Sequence, residues 1–208
     1  MTQTFYITAL EDEVLTPDFF RLLLKVNDDA DAHYGLALSL LRKTDESVDR
    51  EMFDHFKIAS DKGHVEAMNK LGICYFHGLG VEKDVSKGIE CFIKAAEMES
   101  ISGCFNAGNE LLYGKSIKPD YEAAFRYLSK AANAGDDRAM NSLGIMYLLG
   151  KHVNQNTRKA KRLFKKAAKL GNRSAIANLE RMQGIWSLPP DIEHHILKPD
   201  ESPPEESE

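Results

Sequence analysis

The stretch Ala67-Met68-Asn69-Lys70-Leu71-Gly72-Ile73-Cys74-Tyr75-Phe76-His77-Gly78-Leu79-Gly80-Val81-Glu82-Lys83-Asp84 decides the fold, because its pattern returns twice at a fixed interval. A step of 36 residues carries Leu71-Gly72 onto Ala107-Gly108 and then onto Leu143-Gly144. The same step relates Gly78, Gly114 and Gly150, then Val81, Ile117 and Val153, then Asp84, Asp120 and Asn156. Further on it relates Phe92, Leu128 and Phe164, and it repeats Lys94-Ala95-Ala96 as Lys130-Ala131-Ala132 and Lys166-Ala167-Ala168. A period of this length marks a repeat architecture. Each unit is one supersecondary element that cannot bury its apolar face alone, so neighbouring units must stack.

Each period reads as two helices. Helix A begins near Ala67, Gly103 and Ala139, each preceded three residues earlier by a side chain that can cap it: His64, Ser100 and Asp136, with Asn172 repeating the pattern once more. Such a side chain accepts a hydrogen bond from one of the orphan N–H groups of the first turn, and His64 is the weakest capper of the set. Helix A ends at Gly78, Gly114 and Gly150, where a left-handed residue is easiest for glycine. Helix B is capped by Asp84, Asp120 or Asn156 and ends at Gly135 and Gly171, with Gly63 in the preceding unit. Glu99 stands at the matching place between them, so that turn is expected to be built differently. Gly72, Gly108 and Gly144 on helix A, and Ala95, Ala131 and Ala167 on helix B, let the two helices approach. Leu71, Tyr75, Phe92, Leu128, Leu143, Tyr147 and Phe164 fill the space between.

The sequence Ala-x-x-x-Leu-Gly-x-x-Tyr-x-x-Gly-x-Gly-Val-x-x-Asp followed by Lys-Ala-Ala resembles the SEL-one-like repeat family, a relative of the tetratricopeptide repeats with a longer unit. The resemblance is carried best by Ala67, Leu71, Gly72, Tyr75, Gly78, Gly80, Val81 and Asp84. It implies an all-α fold, a right-handed α-solenoid of antiparallel helix pairs with a 36-residue repeat. The expected organisation has an N-terminal capping segment and helix over 1–31, a degenerate repeat over 32–66, and repeats over 67–102, 103–138 and 139–174. A C-terminal half-repeat and cap over 175–198 and a disordered acidic tail over 199–208 complete it. In the degenerate unit, Ala32, Leu36, Ala37, Ala59 and Gly63 fit if one loop residue is lost. Near the start, Thr16-Pro17 reads as an N-cap with proline in the first helical position, opening a helix over Phe19, Phe20, Leu23 and Leu24 that covers the first unit.

The composition agrees with a globular chain. Of 208 residues, 43% are apolar and the net charge is −5, which gives the whole molecule no general attraction for nucleic acid. The first residues, Met1 to Glu13, show neither a basic start nor a long apolar run, so a cytoplasmic protein without a signal peptide or a transmembrane segment is expected. Cys74, Cys91 and Cys104 are odd in number, which fits a reducing compartment.

Motifs for chemistry are sparse. Cys74 and His77 stand three apart on helix A, a metal half-site at best, and His194-His195 is remote in sequence. Cys104 occupies the register of Met68 and Met140, and Cys91 that of Tyr127 and Leu163, so both read as core residues. Neither a Gly-x-Ser-x-Gly turn nor a phosphate-binding glycine loop occurs. No catalytic residue, metal or cofactor is expected, and the chain reads as no enzyme. Some cysteine-rich members of the resembled family have been linked to β-lactam hydrolysis, but their paired cysteines in every repeat are absent. A hydrolase therefore stands as a remote alternative.

The resemblance implies a protein or peptide partner held by an adaptor or scaffold, with helix A lining a concave groove. An immunity-type inhibitor is one specific form of such a role. By register, the groove residues are Glu66, Asn69, Ile73, Phe76 and His77, then Phe105, Asn109, Leu112 and Tyr113, then Arg138, Asn141, Ile145 and Leu148, with Arg181 beyond. Asn side chains can pair with the backbone of an extended peptide, and aromatic and Arg side chains are common binding hot spots. A second surface is basic. No Asp or Glu lies between Arg138 and Leu179, while Arg158, Lys159, Lys161, Arg162, Lys165, Lys166 and Lys169 crowd the last helix B. Such a patch could meet nucleic acid or an anionic surface. Nucleic acid is the less favoured partner, because no aromatic residues are interleaved with the basic ones.

Overall fold

The computed structural model describes residues 16–41, 46–114 and 117–184, and among these residues the chain is helical, without strands. The helices are α1 (Pro17–Leu24), α2 (Ala30–Leu40), α3 (Glu46–Asp61), α4 (Val65–His77) and α5 (Val85–Glu97), then α6 (Ile101–Tyr113), α7 (Tyr121–Asn133), α8 (Asp137–Leu149), α9 (Thr157–Lys169) and α10 (Arg173–Gly184). The fold class is thus the all-α repeat of consecutive helix pairs. In it, α4, α6 and α8 are helices A, and α5, α7 and α9 are helices B. The part of the expected C-terminal cap that follows residue 184, and the acidic tail, lie outside the described residues.

The helix ends follow their side chains. His64, Asp84, Asp120, Asp136 and Asn156 each accept a hydrogen bond from the backbone N–H three residues on. Ser100 and Asn172 do the same for Gly103 and Ala175. His64 performs this with its imidazole Nδ1, 3.0 Å from the Ala67 nitrogen, so a ring nitrogen replaces the usual side-chain oxygen. Thr16 caps α1, with Pro17 in the first turn.

Glu99 departs from the expectation. It takes a left-handed conformation with φ of 71°, alongside Gly63 at 88°, Gly135 at 100° and Gly171 at 89°. The turn's hydrogen bonds are also the same: the N–H of Ser100 reaches the carbonyl of Ala95, as that of Asp136 reaches Ala131 and that of Asn172 reaches Ala167. The turn is therefore not built differently. A glutamate carries the conformation that glycine carries elsewhere, against a preference of roughly 1–2 kcal/mol.

The chain divides into two compact units, residues 1–103 and 104–208. In the first unit α1 packs on α2, α2 on α3, α3 on α4 and α4 on α5. Its core holds Leu36, Leu40, Met52, Phe56, Leu71 and Cys74, with Phe20 of α1 closing one side. A Cβ placed on Gly35 would fall 2.2 Å from the Phe20 ring, and one placed on Gly72 would fall 2.7 Å from the Phe92 ring. In the second unit α7 packs on α8, α8 on α9 and α9 on α10. There Leu128 presses on Gly108 at 2.7 Å and Phe164 on Gly144 at 2.6 Å, measured to the same hypothetical Cβ. Three large helix-B side chains one period apart thus each rest on bare helix-A backbone. Cys74, Cys91 and Cys104 are buried thiols, and burial pushes the Cys74 thiol up to about 12.

This packing makes a local prediction. Gly144→Leu should drive α8 from α9 and lower the unfolding free energy by roughly 1–3 kcal/mol or more, because a well-packed contact is overfilled. Lys161→Gln on the exposed side of α9 should change it by less than about 0.5 kcal/mol. Denaturant melts of the two variants check this, and equal shifts would contradict the packing account.

Candidate functional site

In the first unit the expected groove residues of α4 separate by environment. Asn69 is only 2% exposed and belongs to the interior. Glu66 accepts a 2.6 Å hydrogen bond from the Ser100 hydroxyl, the same hydroxyl that caps the following helix, so it serves as a strut. Phe76 lies edge-on to His77 and 6.1 Å from the Phe92 ring, which turns it toward α5. Ile73 is half-buried, and His77 is exposed.

In the second unit α6, α8 and α10 are joined by polar contacts at successive levels. The Arg138 guanidinium stacks 4.2 Å from the Phe105 ring centre and also donates to Asp136 at 2.7 Å. The Ser142 hydroxyl donates to Asn109 at 3.3 Å. Asn178 donates to Asn141 at 2.9 Å, and Asn172 donates to Asp137 at 2.8 Å. With Asn141 at 9% and Asn178 at 5% exposure, that pair is an internal clasp rather than a peptide-binding amide. Leu112 and Ile145 are buried as well. Burial pushes the Tyr113 phenol up to about 12, so it stays protonated at any physiological pH. The residues left on the accessible side of this unit are Phe105, Asn109 and Tyr113, each partly exposed, and the exposed Arg138 and Arg181. Leu148 is half-buried.

The basic residues sit as expected on α9. Arg158, Lys161, Arg162, Lys165, Lys166 and Lys169 are exposed, opposite the buried Ala160, Phe164 and Ala167. Lys159 is the exception: its ammonium lies 4.0 Å from the Tyr147 ring centre and donates to the Tyr147 hydroxyl.

One cluster has no counterpart in the sequence reading. In the first unit His33 of α2 is buried, with Nε2 2.6 Å from Asp28 and Nδ1 2.7 Å from Nδ1 of His55 on α3. Lys62 pairs with Asp28 at 2.8 Å, and the hydrogen bonds from Lys62 and His33 hold that carboxyl below its ordinary range. Because Asp28 accepts from Nε2–H, a neutral His33 has only a lone pair on Nδ1, so His55 donates across the gap. The pair can take up one proton and keep this bond. With two added protons, both Nδ1 atoms would carry hydrogen. His33 and His55 lie 22 residues apart on different helices, and no local motif marks them. Among the described residues no group of His, Cys, Asp and Glu is arranged to hold a metal ion, and no helix is long and apolar enough to cross a membrane.

A sequence profile described as the Sel1 repeat matches residues 65–100, 101–136 and 137–172. An uncharacterized Sel1-like repeat-containing protein of Schizosaccharomyces pombe is 31% identical over 86 residues, 41% of this chain and 13% of that protein. The chain therefore spans a small part of that relative's length. Among solved structures, a Sel1 repeat protein from Oxalobacter formigenes superposes with a TM-score of 0.66 at 25% identity, covering 79% of this chain and 74% of that one. A protective antigen of uropathogenic Escherichia coli with the same class of fold superposes at 0.72 and 24% identity, covering 82% of this chain and 36% of that one.

Two measurements test the geometry. Asn178→Ala should lower stability by about 1–3 kcal/mol, since it takes from the buried Asn141 oxygen the amide that donates to it. Substitution of the exposed Arg181 by Ala should be nearly neutral in the same melt. The histidine pair predicts a pH effect. Burial, with a smaller electrostatic contribution from the neighbouring His33 ring, holds His55 below its ordinary value, so the folded chain takes up this proton later than the unfolded chain. The stability it supports is present at neutral pH and is lost as pH falls through and below about 6.5. The melting temperature should drop between about pH 7 and 5, and the slope should shrink in His55→Phe.

Proposed function

The chain belongs to the Sel1 repeat family, and on that premise we propose that it works as a protein-interaction adaptor, holding a partner segment on the helix-A face of its second unit. Sel1 repeat proteins are generally protein-interaction scaffolds, and the fold is generally non-catalytic. The observation that carries the reading is the stacked Phe105–Arg138 pair, set beside Asn109 and Tyr113 with Arg181 further along. Arg and aromatic side chains dominate binding energy where they are pre-positioned, and Arg138 is fixed by Phe105 on one side and Asp136 on the other. Holding the guanidinium in place before binding removes part of the ordering entropy that association would otherwise have to meet. In the first unit, taken by itself, Ile73 is half-buried and His77 is exposed on α4. The finer role of an immunity-type inhibitor would use this same face. A protein that works by presenting side chains needs no cofactor.

A second reading rests on α9, whose six exposed cations fit an anionic surface or nucleic acid. Salt separates the two: phosphate contacts release counterions and weaken steeply with ionic strength, whereas the Phe105 face does not.

The test uses affinity capture from the cell of origin, with the full chain as bait. Phe105→Ala and Arg138→Ala should each reduce recovery of the specific partner by about tenfold or more, equivalent to about 1.4 kcal/mol. Lys161→Gln should leave it unchanged. Undiminished capture by both face variants would overturn the proposal.

A further inference from the structure

Arg158, Lys161, Arg162, Lys165, Lys166 and Lys169 follow one another at steps of three, one, three, one and three, the spacing of a single helical face. All six are exposed, and the sequence from Arg138 to Leu179 holds no Asp or Glu. Cations three and four apart on one face repel each other, so this stripe favours any anion that can lie along it. The eleven rises from Arg158 to Lys169 make the stripe about 17 Å long.

The sequence that follows α10 is acidic. After α9 a connection of Leu170, Gly171 and Asn172 turns the chain back, and α10 packs on α9. The 12 residues of α10 return roughly the length of the stripe, so Gly184 ends level with the Arg158 end of α9. Beyond Gly184 the sequence carries Asp191, Glu193, Asp200, Glu201, Glu205, Glu206 and Glu208 against Lys198 alone. The 16 residues from Gly184 to Asp200 can span at most about 55 Å, several times the reach required.

We propose that the acidic segment Asp200–Glu208 docks on the α9 stripe of its own chain, and that an anionic partner must displace it to reach those cations. Three observations favour this occupant over a diffusing one. The charges are complementary and similar in number, with five carboxylates in the segment and six cations on the stripe. The tether keeps the segment at an effective concentration on the order of millimolar, ahead of most free competitors. Finally, the stripe offers no aromatic side chain among its cations, so the recognition it supports is ionic. Exposed ion pairs are individually weak and are screened within about 8 Å at physiological salt, so the docked state exchanges rapidly. This is independent of the Phe105 face.

Paramagnetic relaxation enhancement on the full chain tests it. Cys74, Cys91 and Cys104 are buried, so a nitroxide on Ser202→Cys labels that position selectively. At low salt the amide signals of α9 should lose at least about half their intensity, while those of α5, the matching helix of the first unit, keep theirs. The loss should vanish at about 0.5 M salt and in the Lys165→Gln, Lys166→Gln, Lys169→Gln triple variant. Separately, Glu201→Gln, Glu205→Gln, Glu206→Gln should raise the salt needed to elute the chain from heparin. Unselective or absent broadening at low salt would overturn the proposal, as would broadening that survives high salt. Broadening that grows with protein concentration would also overturn it, making a second copy the occupant.

Discussion

Where Phe164 meets Gly144, α8 and α9 lie so close that one added carbon would fall 2.6 Å from the ring. The same encounter occurs between Phe92 and Gly72 and between Leu128 and Gly108. Bare backbone is needed on one helix because a large side chain is needed on the other, and neither change is tolerated alone. The alanines of helix B continue this logic: Ala95, Ala131 and Ala167 are fully buried, leaving the gap to be filled by few large groups in defined rotamers. Each pair is therefore set at one separation, and the capped turns at either end inherit their geometry from it.

The period made most of this readable in advance. Any one position is ambiguous, but Gly72, Gly108 and Gly144 report the same close approach three times, and Asp84, Asp120 and Asn156 report the same cap. Two kinds of feature escaped. The first is where backbone context overrides residue preference, as at Glu99, whose flanking hydrogen bonds fix a left-handed turn whatever side chain it bears. The second is contact that no period encodes. His33 and His55 meet across two helices of the degenerate unit, where the repeat pattern is faintest.

For a related reason, the depth of the candidate-site residues was not legible in the sequence. Projecting helix-A positions by register assigns a face but not a depth. Asn69 and Asn141 share the chosen register and are interior, while Phe105, at the same register, is partly exposed and carries Arg138 on its ring. The difference lies in the partners. For Asn141 it is Asn178, one residue off the register followed in sequence, whose amide donates to the buried oxygen. Burying an amide without a partner is unfavourable by a few kcal/mol. The polar seam is thus a constraint on helix spacing first, and a recognition surface only where it runs out of internal partners.

The left-handed turns that close the B helices carry a consequence for how such a chain can change. At Gly63, Gly135 and Gly171 a Cβ would have nothing within 4 Å, so the only obstacle to a side chain is the dihedral preference itself. Glu99 shows that a charged residue can stand at such a position. These turns behave as external attachment points, spaced by the repeat and mechanically indifferent to what they bear. A lineage, or an engineer, can vary the chemistry displayed there over many residue types while the helix pairs beneath keep one geometry.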